Sequence, residues 1–116
     1  MTILTDQPGG AGCYLSGIDG DLVTDQTYGT AILQGGSIDG VPKVFSYPVK
    51  WPRGYTGRQS GSQVEVLDNG GRVVAQTGTR VHIGGGYEGD QPRYWLACGL
   101  QTLDGRNPNV WVVPRT

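Results

Sequence analysis

The chain has little of what builds helices. Alanine and leucine are scarce, and no window is rich in Ala, Leu, Glu and Lys, the residues that favour a helix. An all-helical domain is therefore excluded. There is one Phe, one Met and one His. One histidine is too few for the common zinc ligand sets, and no Cys-x-x-Cys is present. No apolar run is long enough to cross a bilayer as a helix. The opening MTILTDQPGG has neither a basic n-region nor an apolar h-region, so it does not read as a signal peptide. These absences predict a cytoplasmic or virion location and no cofactor. The alternative is the cell envelope or secretion, if the chain is a processed form. GAGC at 10–13 bears a faint likeness to a lipoprotein cleavage site.

Motifs of catalysis are also missing. There is no G-x-S-x-G, no H-E-x-x-H and no Walker loop. GGGYEG at 84–89 fits G-x-G-x-x-G in letters, but that motif needs a following helix N-terminus to receive a pyrophosphate. Here a proline and a strand pattern follow, so the segment reads as a tight corner where side chains would clash. DGD at 19–21 lacks the other ligands of a calcium loop. An enzyme acting on a small molecule is thus the weakest of three functional readings.

What is abundant is glycine, 21 of 116 residues. It recurs without a three-residue period, so the chain is not collagen-like. Glycine-rich turns between short β-branched runs predict one all-β domain over 13–116, preceded by a loose arm at 1–12. Seven to eight short strands at this length predict a small barrel or barrel-like meander of oligonucleotide-binding type, with a β-sandwich as the alternative. Asp-Gly at 19–20 and 39–40 and Asn-Gly at 69–70 read as hairpin turns. In VEVLDNGGRVVAQ (64–76), a two-residue turn at Asn69-Gly70 would oppose Val66 to Val73 and Val64 to Ala75.

Charge is unevenly spread. Residues 1–42 carry five aspartates and no base, whereas 43–58 carry Lys43, Lys50, Arg53 and Arg58 and no acid. In KVFSYPVKW (43–51), period-two alternation puts Phe45, Tyr47, Val49 and Trp51 on one face, and Pro48 marks an edge or a bend. Phe45 and Trp51 are expected in the core. PRGYTGRQSGS (52–62) reads as a mobile loop. Bases interleaved with aromatics suit single-stranded nucleic acid, although the net charge of −1 argues against it. The expected contact surface is Lys50, Arg53, Tyr55 and Arg58, with His82 and Tyr87 as neighbours. Cys13 and Cys98 read as two buried thiols, with a disulfide or a reactive cysteine as alternatives.

WPRGYTGR, VEVLDNGGRVVAQTGTRVHIGGGYEG and YWLACG together resemble a group of small actinobacterial proteins of unassigned activity. The likeness covers 51–99. It implies an oligonucleotide-binding-like barrel from a bacterium or its phage, with relatives often exported as lipoproteins. It implies no catalytic residues. The expected function is a non-catalytic binding or structural module, with a protein partner or self-association, and single-stranded nucleic-acid binding through 43–58 as the alternative.

Overall fold

The computed structural model describes residues 3–5, 16–102 and 110–112; for 101–102 and 110–112 only the backbone is described. Nine strands and no helix occur among these residues: β1 (Ser16–Asp25), β2 (Gly29–Ile38), β3 (Val41–Lys50), β4 (Thr56–Ser60), β5 (Gln63–Leu67), β6 (Val73–Gln76), β7 (Thr79–Glu88), β8 (Tyr94–Thr102) and β9 (Val110–Val112). No helix among the described residues is long and apolar enough to cross a membrane.

Five strands form a ring in the order β3-β2-β1-β7-β8. It closes where β3 pairs parallel with β8 through Val49↔Trp95 and Lys50↔Leu96. All the other ring pairings are antiparallel. The result is a small, barrel-like ring of five strands. Closing the ring removes most of the edges that an open sheet would leave. A second sheet, β4-β5-β6, is inserted in the chain between β3 and β7. The expected mobile loop at 52–62 is therefore a turn followed by β4, which pairs with β5 from Thr56↔Leu67 to Ser60↔Gln63.

One apolar cluster joins the two sheets. Ile18, Leu22, Ile32, Val49, Trp51, Val81, Ile83 and Trp95 come from the ring side, and Val64, Val66 and Ala75 from the inserted sheet. The alternation expected in β7 is present, since Val81 and Ile83 are buried and Arg80 and His82 are not. Polar contacts also seat the second sheet. The Gly78 N–H donates to Leu22 O at 2.7 Å. The fully buried Thr77 hydroxyl accepts from Val64 N and donates to Gln63 Oε1.

Part of the expected loose arm is docked. Ile3 belongs to the core cluster, Leu4 N donates to Tyr28 O, and Trp51 N donates to Leu4 O. An apolar side chain and two backbone hydrogen bonds fix this short piece, whatever its polar neighbours in sequence suggest.

The turns separate correct from incorrect expectations. Asp39-Gly40 is a two-residue hairpin turn with φ of 52° and 79°, closing Ile38↔Val41. Asp19-Gly20, by contrast, lies inside β1, opposite His82 and Val81. A Cβ at Gly20 would sit 2.1 Å from Leu33 O, so this glycine serves close strand approach and not a turn.

The hairpin at 64–76 exists in a different register. Val66 faces Ala75, and Leu67 faces Val73 across a bulge. The cause is Asp68. Its carboxylate accepts from Gly70 N and Arg72 N, its carbonyl from Gly71 N, and its own N–H donates to Arg72 O. Only Gly71, at 83°, has positive φ, so this is a three-residue loop with a bulged glycine in place of the expected two-residue one. Val64, Val66 and Ala75 still face the core, but Val73 is turned outward.

Candidate functional site

The basic-aromatic segment is split by its own turn. Tyr55 N donates to Pro52 O, and Gly54 has φ of 90°. That geometry places a glycine at the third position of a type II turn. Arg53 occupies the exposed corner, and Tyr55 folds back to 9% exposure inside the core cluster. The expectation that Tyr55 belongs to an exposed contact surface is thus corrected. Asn69 lies over Gly54, where a Cβ would come within 2.2 Å of its Oδ1.

Two of the three cations of the expected surface, Lys50 and Arg58, have carboxylate partners, while Arg53 stands exposed at its turn. Lys50 bonds Glu88 at 2.5 Å, and its ammonium also lies 4.8 Å from the Tyr94 ring centroid. Arg58 bonds Glu65 across β4 and β5 at 2.8 Å. His82 Nδ1 contacts Asp19 Oδ1 across β7 and β1, and its ring covers Gly17. His82 thus stands on the outer face of a strand pair that does not include β3. These residues lie on separate strands, Lys50 at the end of β3, Arg58 on β4 and His82 on β7. Exposed ion pairs of this kind contribute little to stability, but they do compete with phosphate for the same donors.

Two aromatic groups do form. Tyr47 stacks edge-on against Tyr87 at 5.1 Å, and Tyr87 against Trp95 at 4.9 Å. Arg93 lies 5.3 Å from the Tyr87 centroid. Tyr28 packs against Tyr94 at 5.7 Å. Desolvation first, then the neighbouring Tyr87 phenol, raises the Tyr47 pKa above 10.0, with Arg93 pulling the other way. Desolvation and then Tyr94 do the same for Tyr28. Both phenols therefore stay neutral at ordinary pH. Of the expected surface residues, Tyr87 is the aromatic that remains open, at 42% exposure. Trp95 beneath it is buried, and its indole N–H has no hydrogen-bond partner among the described residues.

Cys98 is buried and disulfide-bonded. The other cysteine of the chain, Cys13, lies outside the described residues.

The most exposed apolar surface lies elsewhere. β1 pairs with β2 only up to Leu33, and β8 meets β3 only at Val49 and Lys50. Between these limits, Gln34–Ile38 and Val41–Phe45 pair, among the described residues, with each other alone, as a two-stranded ribbon. It carries Ile38, Val41 and Val44 at 50%, 53% and 69% exposure. Phe45, expected in the core, is half-buried here, with its ring over Gly36. The principal-axis extents of 44 × 32 × 27 Å leave room for such a projection.

The ribbon's outer edge follows from its register. Ile38 and Val41 close the two-residue turn, so Val41, Lys43, Phe45 and Tyr47 bond inward to β2. Pro42, Val44, Ser46 and Pro48 then direct their backbone outward. Both prolines fall where no ladder donor is lost, which is where an edge strand tolerates them. The edge expected at Pro48 is real, and Pro42 marks its other end. Sequence reasoning passed over the ribbon because Ile38, Val41 and Val44 look like ordinary strand residues. The signal was present in Gly35-Gly36 opposite Val44 and Lys43, which supplies no side chains to cover them. No family model, curated protein or solved structure matches the chain.

Proposed function

We propose that the chain is a non-catalytic interaction module that recognises protein through the β2–β3 ribbon. The observation that carries this reading is the ribbon itself. An isolated two-stranded ribbon is marginally stable in water, and this one exposes Ile38 and Val41 on one face and Val44 on the other, beside an edge that no described strand pairs. Addition of a strand is the recognition mode that such an edge suits.

Single-stranded nucleic-acid binding through 43–58 is the weaker reading. Tyr55 is buried, and Lys50 and Arg58 are already paired. The exposed Arg53, and Tyr87 with Arg93 beside it, are the features in its favour, although Arg93 also pairs with Asp90. The motif likeness over 51–99 supports an actinobacterial or phage origin. The disulfide form of Cys98 supports an oxidising location, such as the envelope or outside, over the cytoplasm.

The test is site-specific photo-crosslinking from position 44, alongside a Trp-fluorescence titration with a single-stranded oligonucleotide at low salt. Crosslinks to protein and an unchanged fluorescence are expected. No crosslinks from position 44, together with saturable and salt-sensitive quenching, would replace the module reading with the nucleic-acid one.

A further inference from the structure

We infer that the partner strand is β3 of a second copy, paired antiparallel about a two-fold axis at Val44. This rests on the module reading above and names its partner.

The outward-facing groups are self-complementary. Val44 offers an N–H and a carbonyl, Ser46 offers both, and Pro42 offers only a carbonyl. In the register centred on Val44, Val44 exchanges both its bonds with Val44 of the second copy. Ser46 of each copy then donates to the Pro42 carbonyl of the other. The missing proline donors cost only one acceptor at each end. Shifting the centre to Ser46 would oppose Val44 to the Pro48 carbonyl and leave Pro42 beyond the paired stretch. Moving it to Pro42 would remove the central donors altogether.

Side chains agree with this register. Val44, the most exposed of the large apolar side chains at 69%, lands beside its own copy. Lys43 falls opposite Phe45 of the second copy, so no like charges are opposed. The ribbon from 34 to 46 carries one acid, Asp39, and one base, Lys43, so two ribbons approach without net repulsion. Pairing converts a two-stranded ribbon into a four-stranded one, which passes the three-strand threshold for independent stability. Prolines at both ends of the window limit further strand addition, so the assembly closes as a dimer and does not run on as a fibre.

Sedimentation of the full chain across a concentration series tests this. The wild type is expected to pass reversibly from monomer to dimer. Val44→Lys places two ammonium groups in contact at the axis and should raise the dissociation constant about tenfold or more. Val73→Lys, at an exposed valine on β6, should leave it unchanged. A wild type that stays monomeric, or a dimer weakened equally by both substitutions, would overturn the inference. If the wild type is monomeric but position 44 still crosslinks to another protein, the self-pairing fails and the module reading stands. If position 44 crosslinks to nothing, both fail.

Discussion

Replacing Trp51 with alanine is expected to remove about 5 kcal/mol of stability, the largest effect of any single side chain here. Trp51 has 0% exposure at the centre of the cluster that joins barrel and inserted sheet. Truncating a buried tryptophan to alanine costs about 3–5 kcal/mol from lost transfer energy and the cavity left behind. A second loss adds to this. Trp51 Nε1 donates to Thr30 Oγ1 at 2.8 Å, and Thr30 is itself fully buried. Without the indole, a buried hydroxyl loses its partner at about 1–3 kcal/mol. A chain of this size has roughly 6–17 kcal/mol in all, at about 0.05–0.15 per residue. The melting temperature should fall by about 15–20 °C. Trp51→Phe keeps most of the volume and loses the bond, so it should cost about half as much. Urea denaturation followed by far-UV circular dichroism measures both. A loss under about 2 kcal/mol for Trp51→Ala would show that the cluster is not a single core.

The second large effect lies in the glycine triplet. Gly85→Ala is expected to cost about 3 kcal/mol or more, and Gly84→Ala less than about 1. An added Cβ at Gly85 would lie 1.7 Å from Leu96 O and 3.3 Å from the Trp95 indole nitrogen, with φ at 154°. At Gly84 the nearest atoms would be 3.9 and 4.0 Å away, which is ordinary contact. The two residues flank the bulge that shifts β7 against β8. A carbonyl fixed in a ladder cannot turn aside as a flexible side chain would, so β7 must move away from β8. Because β8 also closes the ring on β3, that strain is carried to the barrel seam. Comparing the two variants by thermal melting isolates close packing from any general dislike of side chains in the triplet. Equal losses would mean that the bulge is not where the backbone approach is tightest.

The sequence made the fold legible where the signal was local and repeated. Alternation in β7, glycine-rich turns and the Asp39-Gly40 hairpin all survive in the structure. The ring order was not legible. It depends on β3 meeting β8 at two residue pairs, Val49↔Trp95 and Lys50↔Leu96, far apart in the chain, and no local pattern encodes that contact. Asp19-Gly20 misled because the same dipeptide serves a turn and a close strand crossing. Asn69-Gly70 misled in register because the Asp68 carboxylate captures two backbone donors and lengthens the loop by one residue.

The candidate site was misjudged for a related reason. Charge and aromaticity drew attention to 43–58, but Gly54 turns Tyr55 inward and three separate carboxylates meet Lys50, Arg58 and His82. The surface that stays unpaired is apolar and backbone-lined. Composition registers neither feature. Pro42 and Pro48, read by parity, were the visible trace of an edge.

Amide hydrogen exchange at Val44 and Ser46 tests the role of that edge most directly. Both N–H groups point away from β2, so in the free chain they should exchange quickly, while those of Lys43 and Phe45 exchange slowly. With rising protein concentration, protection should appear at Val44 and Ser46 and leave Lys43 and Phe45 unchanged. Fast exchange at Val44 and Ser46 at every concentration would contradict pairing at this edge. Protection of both already at high dilution would contradict the register that leaves them open.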